Sequence, residues 1–352
     1  MKKLVRHTGQ NIYIILIFLI FIISIGAGCT SKQNISAEDE TNPDPLYCNL
    51  WVQDISCFDL SISSDGQSIA CRDDWGKIYL INTSGGILWS TQERNQGGGM
   101  SFSADGNHLV YSISSLVHWF DRQKDKHWSI DLKTIDKEMN QAGQVSINRD
   151  GSRTIVGDLV DAYPDNIYKF LIFDLNGNVV KKMKIQDNNL NQLAISNDGS
   201  YIAIAFNKKI YFTDTDGNVL WTYDAGPWGR IKEITISDNS ENIIAGDGEG
   251  NVYYFENTGR LLWKKNIGLS VYDVSVSDDG TVIIACDGYT RIVMLTSTGE
   301  IFVTAIYPNN DPNNRPIDGF YTVDISNSNN TYYMVAGGKN GLFLHNPSML
   351  LK

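Results

Sequence analysis

One phrase recurs seven times between Leu60 and Leu344, and it constrains the fold more than any other feature of the chain. Each copy has an alternating strand that ends in a Ser-x-Asp-Gly-like turn, then two further strands, and then a Gly followed by Leu-Trp. A clear copy runs from Ser277-Asp278-Asp279-Gly280 into Val282-Ile283-Ile284-Ala285. Asp-Gly between two alternating runs predicts a type I′ hairpin turn, because both central residues of that turn need positive φ. Each unit is therefore expected to form four short antiparallel strands.

The Asp of each turn, or its equivalent, marks the period of the repeat. Successive markers are 40, 45, 48, 41, 40 and 49 residues apart, at Asp65, Asp105, Asp150, Asp198, Asn239, Asp279 and Ser328. Repeats of this length are typical of propeller blades, which pack face to face because one four-stranded sheet cannot cover both of its apolar faces. The sequence predicts an all-β protein, a seven-bladed β-propeller of four-stranded antiparallel blades.

The two ends of the repeat array predict how the ring closes. The last unit stops after its third strand, Gly341-Leu342-Phe343-Leu344-His345, and an unassigned apolar stretch, residues 46–51, precedes the first unit. We predict that the N-terminal stretch completes the seventh blade, because this pairing removes an exposed sheet edge. Met349-Leu350-Leu351 is the alternative source of that strand. The propeller is thus expected to span residues 46–352.

The chain before the propeller predicts its location. Lys2, Lys3 and Arg6 precede an apolar run that ends in Gly26-Ala27-Gly28-Cys29, which is typical of a secretory signal peptide over residues 1–28. This ending resembles a prokaryotic lipoprotein signal in which Cys29 is lipidated, although Gly26 replaces the usual Leu. An uncleaved anchor is the alternative, because the 17 residues from Ile12 to Gly28 are just long enough to span a membrane.

Residues 29–45 are rich in Ser, Asn, Asp, Glu and Pro and predict a flexible polar tether. Either interpretation of the leader places the propeller on the extracytoplasmic face of a cell membrane. The net charge is −11, and the leader carries +3, so the rest of the chain carries −14. Nucleic acid is therefore not an expected partner, and the propeller is expected to be a monomeric ring.

The cysteines suggest packing more than cross-linking. Cys71 and Cys286 follow an Ala at the same position of the second strand, where other units have Gly, so both are expected to be small buried residues without a bridge. A disulfide between Cys48 and Cys57 remains an open alternative.

The Gly-x-x-x-Trp ending carries a resemblance to a known family. It occurs as Gly85 to Trp89, Gly217 to Trp221 and Gly259 to Trp263, with a looser copy at Trp128. This pattern resembles the repeat of pyrroloquinoline-quinone-type propellers, and the Asp-Gly turns resemble WD-type repeats. The resemblance implies that each Trp docks between neighbouring blades. The family includes quinone-dependent dehydrogenases, an outer-membrane assembly lipoprotein and many non-catalytic prokaryotic lipoproteins.

This chain departs from the quinone enzymes of that family. It has no adjacent cysteine pair, and Phe255 stands where the family turn has Asp before Thr258-Gly259. Its five histidines show no metal-ligand spacing, and no nucleophile-elbow, Walker or zinc pattern is found. We therefore expect neither a catalytic centre, nor a cofactor, nor a bound metal.

Irregularities of the repeat predict where function lies. Connections between second and third strands and between blades should all lie on one face of the ring, and five of them are long: 92–98, 131–143, 158–166, 224–232 and 307–321. Aromatic and Arg side chains on loops are typical of binding hot spots. The candidate partner-binding residues on this face are Trp75, Tyr163, Trp228, Arg230, Tyr289, Arg315 and Phe320.

Polar residues at the start of the first strands form a second candidate site. Five of them should line the channel rim: Asp59, Gln144, Gln192, Glu233 and Asp273. We expect a membrane-anchored, extracytoplasmic binding or assembly scaffold for a protein, peptide or glycan. The alternative is a surface enzyme, a hydrolase or oxidoreductase, with its active site at the central channel.

Overall fold

The computed structural model describes residues 49–91, 98–123, 127–161, 166–289, 291–306, 319–328, 331–339 and 341–345, with side chains for all of these except 49–53, 159–161 and 305–306. The described chain forms seven four-stranded antiparallel sheets. The first strand of each sheet, here called its inner strand, contacts the inner strands of the neighbouring sheets around a ring. The predicted seven-bladed β-propeller is confirmed.

The strands follow one another along the chain, four to a blade, after an N-terminal strand β1 (Asn49–Gln53). Blade one contains β2 (Asp59–Ile62), β3 (Ser68–Arg72), β4 (Ile78–Asn82) and β5 (Ile87–Ser90). Blade two contains β6 (Met100–Phe102), β7 (His108–Ile113), β8 (Leu116–Asp121) and β9 (His127–Asp131). Blade three contains β10 (Val145–Ile147), β11 (Arg153–Asp161), β12 (Ile167–Asp174) and β13 (Val179–Gln186).

The next three blades are equally regular. Blade four contains β14 (Leu190–Ile195), β15 (Tyr201–Phe206), β16 (Lys209–Asp214) and β17 (Val219–Asp224). Blade five contains β18 (Ile231–Ile236), β19 (Asn242–Asp247), β20 (Asn251–Glu256) and β21 (Leu261–Asn266). Blade six contains β22 (Asp273–Val276), β23 (Val282–Cys286), β24 (Arg291–Thr296) and β25 (Ile301–Ile306).

Blade seven joins the two ends of the propeller. It contains β26 (Phe320–Ser328), β27 (Thr331–Gly338), β28 (Gly341–His345) and β1, and β1 pairs antiparallel with β28. The prediction that the N-terminal stretch completes this blade is confirmed. Within the described ranges there is one short 3-10 turn, Leu132–Thr134, and no helix there is long and apolar enough to cross a membrane.

The turn between the first two strands of a blade differs from the predicted type I′ turn. In blade one the N–H of Gly66 donates to the carbonyl of Ser63 at 2.8 Å, and Gly66 has φ +66°. Asp65 does not have a positive φ, and it contributes to the loop through its side chain. That side chain accepts from Ser63 Oγ at 2.5 Å and from the N–H of Gln67 at 2.9 Å. The Ser-x-Asp-Gly phrase therefore builds a longer loop in which glycine alone needs the left-handed backbone.

Apolar side chains fill the gaps between blades. Leu60 and Ile62 of β2 are buried, whereas Ser61 between them lines the central channel, so large buried residues and small channel-lining residues alternate along this strand. Cys57, Cys71 and Cys286 are buried free thiols, as expected for the latter two. Cys48 lies outside the described residues.

The four repeated tryptophans dock against the next blade. Each indole Nε1 donates to a backbone carbonyl in the adjacent blade's outer turn: Trp89 to Arg122 (2.9 Å), Trp128 to Leu175 (3.3 Å), Trp221 to Asn257 (2.8 Å) and Trp263 to Ser297 (2.8 Å). These contacts explain why Leu-Trp recurs, since each indole buries apolar area and satisfies its polar atom in one position.

Candidate functional site

A cavity of about 360 Å³ opens at the centre of the ring, at the end where the inner strands begin. This cavity is called the funnel below, and the end of the ring on which it opens is called the long-loop face. The inner strands start around one axis, so their first polar residues reach the same level. The structure brings all five predicted channel-rim residues together on the funnel wall: Asp59, Gln144, Gln192, Glu233 and Asp273.

The opposite end of the channel is constricted by a polar bridge. A smaller cavity of about 140 Å³ lies there, and it shares Ser61, Ser146 and Asp324 with the funnel wall. The carboxylate of Asp238 accepts from Ser64 Oγ at 3.1 Å and from Arg149 Nη1 at 3.2 Å. Asp238, Ser64 and Arg149 follow the inner strands of blades five, one and three, so their hydrogen bonds cross the channel.

Side chains of the inner strands also form a belt of hydrogen bonds between neighbouring blades. In each case a backbone N–H of one blade donates to a side-chain oxygen of the blade beside it. The pairs, donor first, are Met100 to Asp59 (3.1 Å), Ile147 to Ser101 (3.2 Å), Ile195 to Ser146 (3.2 Å), Val323 to Asp273 (2.8 Å) and Ile62 to Asp324 (2.8 Å). Three carboxylates of the funnel therefore have a structural role.

Asp324 was not among the predicted site residues, although the sequence held a signal for it. It breaks the rule that small residues alternate with large ones on the inner strands. Its second carboxylate oxygen accepts from Ser275 Oγ, so this one side chain links blades six, seven and one. The irregular residue is thus part of the belt and of the funnel wall.

Glu233 differs from the other acids because, among the described residues, it makes no contact of the belt type. Its Oε1 accepts from the N–H of Ile234, the next residue of its own strand, at 3.2 Å. Gln192 of the preceding blade also hydrogen-bonds to it. The carboxylate of Glu233 therefore lines the funnel and contacts the preceding blade through Gln192, without accepting a backbone N–H from another blade.

The wall of the funnel carries more acids than bases. Four acids, Asp59, Glu233, Asp273 and Asp324, line the funnel together with Arg72, whose guanidinium lies 3.5 Å from Asp59. Burial raises the pKa of Asp273 to about 7, and it also raises the pKa of Asp59 and of Asp324. Burial and the nearby Asp273 carboxylate raise the pKa of Glu233 well above its ordinary value. Some of these acids are therefore protonated and neutral near neutral pH.

Aromatic side chains surround part of the funnel mouth. Phe58 and Tyr321 stack with ring centroids 5.1 Å apart, and Tyr272 lies 6.1 Å from Tyr321. The ammonium of Lys232 lies 3.9 Å from the centroid of the Tyr272 ring, which is a cation–π contact. Phe58 is 37% exposed and Tyr272 is 42% exposed, so solvent reaches both rings.

Sequence reasoning missed these mouth residues, but their positions repeat. Phe58, Lys232 and Tyr272 each stand directly before the first acid of an inner strand, and Tyr321 stands one place before Thr322 on blade seven. These four residues belong to blades one, five, six and seven, which are contiguous in the ring. Blades two and three have Gly98 and Gly143 at this position. The funnel is therefore acidic and aromatic on one side and small and neutral on the other.

Three of the predicted partner-binding aromatics are exposed on loops of the long-loop face. Trp228 is 77% exposed between β17 and β18, Tyr289 is 64% exposed after β23, and Trp75 is 62% exposed between β3 and β4. Arg230 is also exposed. Tyr163 and Arg315 lie outside the described residues.

Phe320 requires a correction. It is fully buried and packs edge-on against Phe343 at 5.5 Å, within the apolar cluster between blades six and seven. It begins the inner strand of blade seven instead of standing on the preceding loop, so it fills the core and is unsuited to contact a partner.

The long connection from blade two to blade three is also structural. Leu132 and Met139 of this loop are buried, and the Lys169 ammonium binds Asp136 at 2.5 Å. The loop therefore folds back on its own blades, unlike the segment that carries Trp228.

Comparison with known families relates part of the chain to a family without an assigned role. Residues 176–338 match the model of a family of unknown function, DUF5711, so less than half of the 352-residue chain is similar to it. The matched segment runs from the last turn of blade three into blade seven. No curated protein matches the chain.

Proposed function

We propose that this protein is a membrane-anchored, extracytoplasmic binding propeller that holds a protein, peptide or glycan partner on its long-loop face. The observation that carries the proposal is the coincidence of two features on one face. Exposed aromatic residues stand on its loops, and a funnel of about 360 Å³ opens between those loops. Exposed aromatic side chains around a concave site are typical of ligand binding.

The anchored location is supported by the leader and by the order of segments. A basic start, an apolar run and Gly26-Ala27-Gly28-Cys29 precede a polar tether, and the propeller begins with β1. Lipidation of Cys29, or retention of the leader as a helix, would hold the ring close to a membrane. The acidic charge of the remaining chain suits a solvated body.

Trp228 and Arg230 provide the test, because both are exposed and neither belongs to the core. Replacing both by Ala should abolish capture of the partner in a crosslinked pull-down from detergent-solubilised membranes, with identification by mass spectrometry. The melting temperature should stay unchanged. Leu175→Ala with Asn176→Ala is a matched control, because these residues are exposed in an outer turn on the opposite face. Equal capture by both double variants would contradict the proposal.

An enzyme with its active site in the funnel is the second candidate. It is favoured by one observation, which is that Glu233 and Asp273 share a cavity and both have raised pKa values. Carboxyl groups of this kind serve as general acids in hydrolases. Glu233→Gln should then remove turnover of a chromogenic glycoside or ester panel that the wild-type protein accepts, and a wild-type protein without turnover removes this candidate.

A further inference from the structure

We propose that the funnel binds a primary alkylammonium group, which lies on the Tyr272 ring and forms an ion pair with Glu233. This inference rests on the proposed function, because it names the chemistry that the long-loop face recognises. The source of the ammonium is either a free polyamine or the side chain of a lysine on the partner. Both sources place the same chemical group in the same site.

The first step of the argument is the size and shape of the site. A volume of about 360 Å³ is at the lower end of the range for small-molecule pockets, so the funnel accepts an extended chain or a side chain, and not a folded domain. The Asp238 bridge constricts the opposite end of the channel. A ligand therefore enters through the mouth, between the aromatic side chains.

The second step is charge complementarity. The funnel wall carries four acidic side chains and one guanidinium, that of Arg72, so an incoming cation is attracted by the ionised form of these acids and favours their ionisation. Asp59, Asp273 and Asp324 are already used in the belt between blades. Glu233 accepts no backbone N–H from another blade among the described residues. Its carboxylate accepts from Ile234 and Gln192, and an ionised carboxylate keeps further acceptor positions for a ligand ammonium.

The third step is an ammonium group that the protein itself places at the mouth. Lys232 lies 3.9 Å from the Tyr272 ring centroid, and it donates to Ser270 Oγ at 2.9 Å. The ring is therefore oriented to receive an ammonium group. Burial and the nearby Arg230 lower the pKa of Lys232, so this internal cation is poorly stabilised where it lies. A ligand ammonium competes with it for the ring, and Glu233 lies one residue further into the funnel.

The arrangement of the acids distinguishes an ammonium from a metal ion. A hard cation such as Ca²⁺ needs six to eight oxygen atoms converging at short distance. Within the part of the chain that the structure describes, no three His, Cys, Asp or Glu side chains are grouped closely enough to hold a metal ion. A primary ammonium needs fewer contacts, since one carboxylate, one ring face and a neutral acceptor such as Gln192 satisfy it.

Isothermal titration calorimetry of the full chain in detergent tests this inference, with spermidine, Nα-acetyl-lysine amide and the neutral Nα-acetyl-norleucine amide, which lacks the ammonium group, as probes. We expect the two amines to bind and the neutral norleucine amide not to bind. Tighter binding of spermidine would identify a free polyamine as the source, and tighter binding of the lysine amide would identify a partner's side chain. Binding of neither amine, or equal binding of the norleucine amide, would overturn the proposal.

Variants locate the site within the funnel. Glu233→Gln should weaken amine binding about tenfold, and Tyr272→Leu about fivefold, as expected for loss of an ion pair and of a cation–π contact. Lys232→Met should strengthen binding, because it removes the internal competitor. This gain cannot arise from misfolding. Unchanged affinity in all three variants would show that the amine binds elsewhere and would overturn the assignment.

The pH dependence provides a further readout. The charged groups around Glu233 are Asp273 on the neighbouring blade, Asp59 and Arg72 on blade one, Asp324 on blade seven and Lys232 at the mouth. A bound ammonium favours the ionised acids, so binding should release protons and should strengthen from about pH 5 to pH 8. Titration in two buffers of different ionisation enthalpy measures this release, and its absence would contradict the role of the acids.

The two proposals can fail independently. Trp228→Ala alone should weaken partner capture while leaving spermidine binding unchanged, because Trp228 does not line the funnel, whereas Arg230 acts on the charge of Lys232. If that variant loses capture but no amine binds to the wild-type protein, the binding propeller stands and the ammonium site falls. If amines bind but capture does not depend on these loops, the ammonium site stands and the proposed docking face falls.

Discussion

Two adjacent aspartates of blade six should affect stability in opposite directions. Asp278 and Asp279 belong to one Ser-Asp-Asp-Gly turn, but Asp278 faces the constricted end of the channel and Asp279 faces the outside. Burial and the carboxylates of Asp238 and Asp324 raise the pKa of Asp278 from 3.8 to about 8. Burial also acts to raise the pKa of Asp279, but hydrogen bonds, first of all from Ser277, outweigh it and lower this pKa to about 2. The perturbation is Asp278→Asn in one protein and Asp279→Asn in another.

The sign of each effect follows from which state binds the proton more tightly. Folded Asp278 binds it more tightly than the unfolded chain, so its contribution to stability is complete below pH 3.8 and is lost as the pH rises to about 8. Folded Asp279 binds it less tightly, so its contribution is present above pH 3.8 and is lost as the pH falls through about 2. Between about pH 4 and pH 8, Asp279 therefore stabilises the folded protein while Asp278 progressively loses its stabilising contribution.

The magnitudes follow from the sizes of the shifts. The rise in the pKa of Asp278 from 3.8 to about 8 corresponds to roughly 6 kcal/mol, at about 1.36 kcal/mol per pKa unit. Water at this end of the channel screens part of this free energy and leaves about 3 kcal/mol. The shift of about two units for Asp279 gives a smaller value, and its exposure reduces the effect to about 1 kcal/mol. We expect Asp278→Asn to match the wild type near about pH 4 and to exceed its stability by about 3 kcal/mol near about pH 9.

Urea unfolding followed by tryptophan fluorescence, at several values between about pH 3 and pH 9, measures both effects. Asp279→Asn should be less stable than the wild type at neutral pH, and the difference should shrink as the solution is acidified. The reasoning is refuted if Asp278→Asn follows the wild-type curve at every pH, or if the two variants change stability in the same direction near neutral pH.

Two further predictions concern packing and closure. Trp263→Ala should lower the free energy of unfolding by about 2–4 kcal/mol in urea unfolding, because the indole stacks on Tyr254 and donates to the Ser297 carbonyl. Trp263→Phe, which keeps a ring but loses the hydrogen bond, should lower it by about 1 kcal/mol. Trp228→Ala, at an exposed position, should change it by less than about 0.5 kcal/mol. Equal effects of Trp263→Ala and Trp228→Ala would contradict the docking role. Removing residues 1–53 deletes β1 and should lower stability by about 2–5 kcal/mol and promote aggregation through the freed edge of β28. Removing residues 1–44 keeps β1 and serves as the control in size-exclusion chromatography and thermal unfolding, and equal behaviour of the two truncations would rule out a closing role for β1.

The fold could be predicted from the sequence because its determinants are local and repeated. Alternation and Asp-Gly turns act within one blade, each Leu-Trp ending acts between neighbouring blades, and the missing fourth strand of the last unit leads to the N-terminal stretch. The turn type was predicted wrongly because the Asp side chain acts as a hydrogen-bond acceptor, as Asp65 does, and this role is hidden when Asp-Gly is considered as a pair of backbone conformations.

The candidate site was predicted only in part, for a different physical reason. The channel-rim acids could be found because alignment of the repeats places them at one level. Phe58, Tyr272 and Lys232 stand one position earlier, where a residue faces either the mouth or the next blade according to how the entering loop bends. Phe320 stands one position earlier than Tyr321, at the place of the buried Cys57, and it turns into the core after a glycine with φ +94°. Whether an aromatic residue beside a strand is exposed depends on this local path.

The bridge of Ser64, Arg149 and Asp238 has a consequence for the order of events at the long-loop face. A solute too large to pass this constriction must enter and leave the funnel through its mouth. A large partner bound over the mouth would hold a small ligand inside the funnel until the partner dissociates. Binding would then be ordered, with the small ligand first and the partner second. The residence time of the ligand would be set by the dissociation rate of the partner.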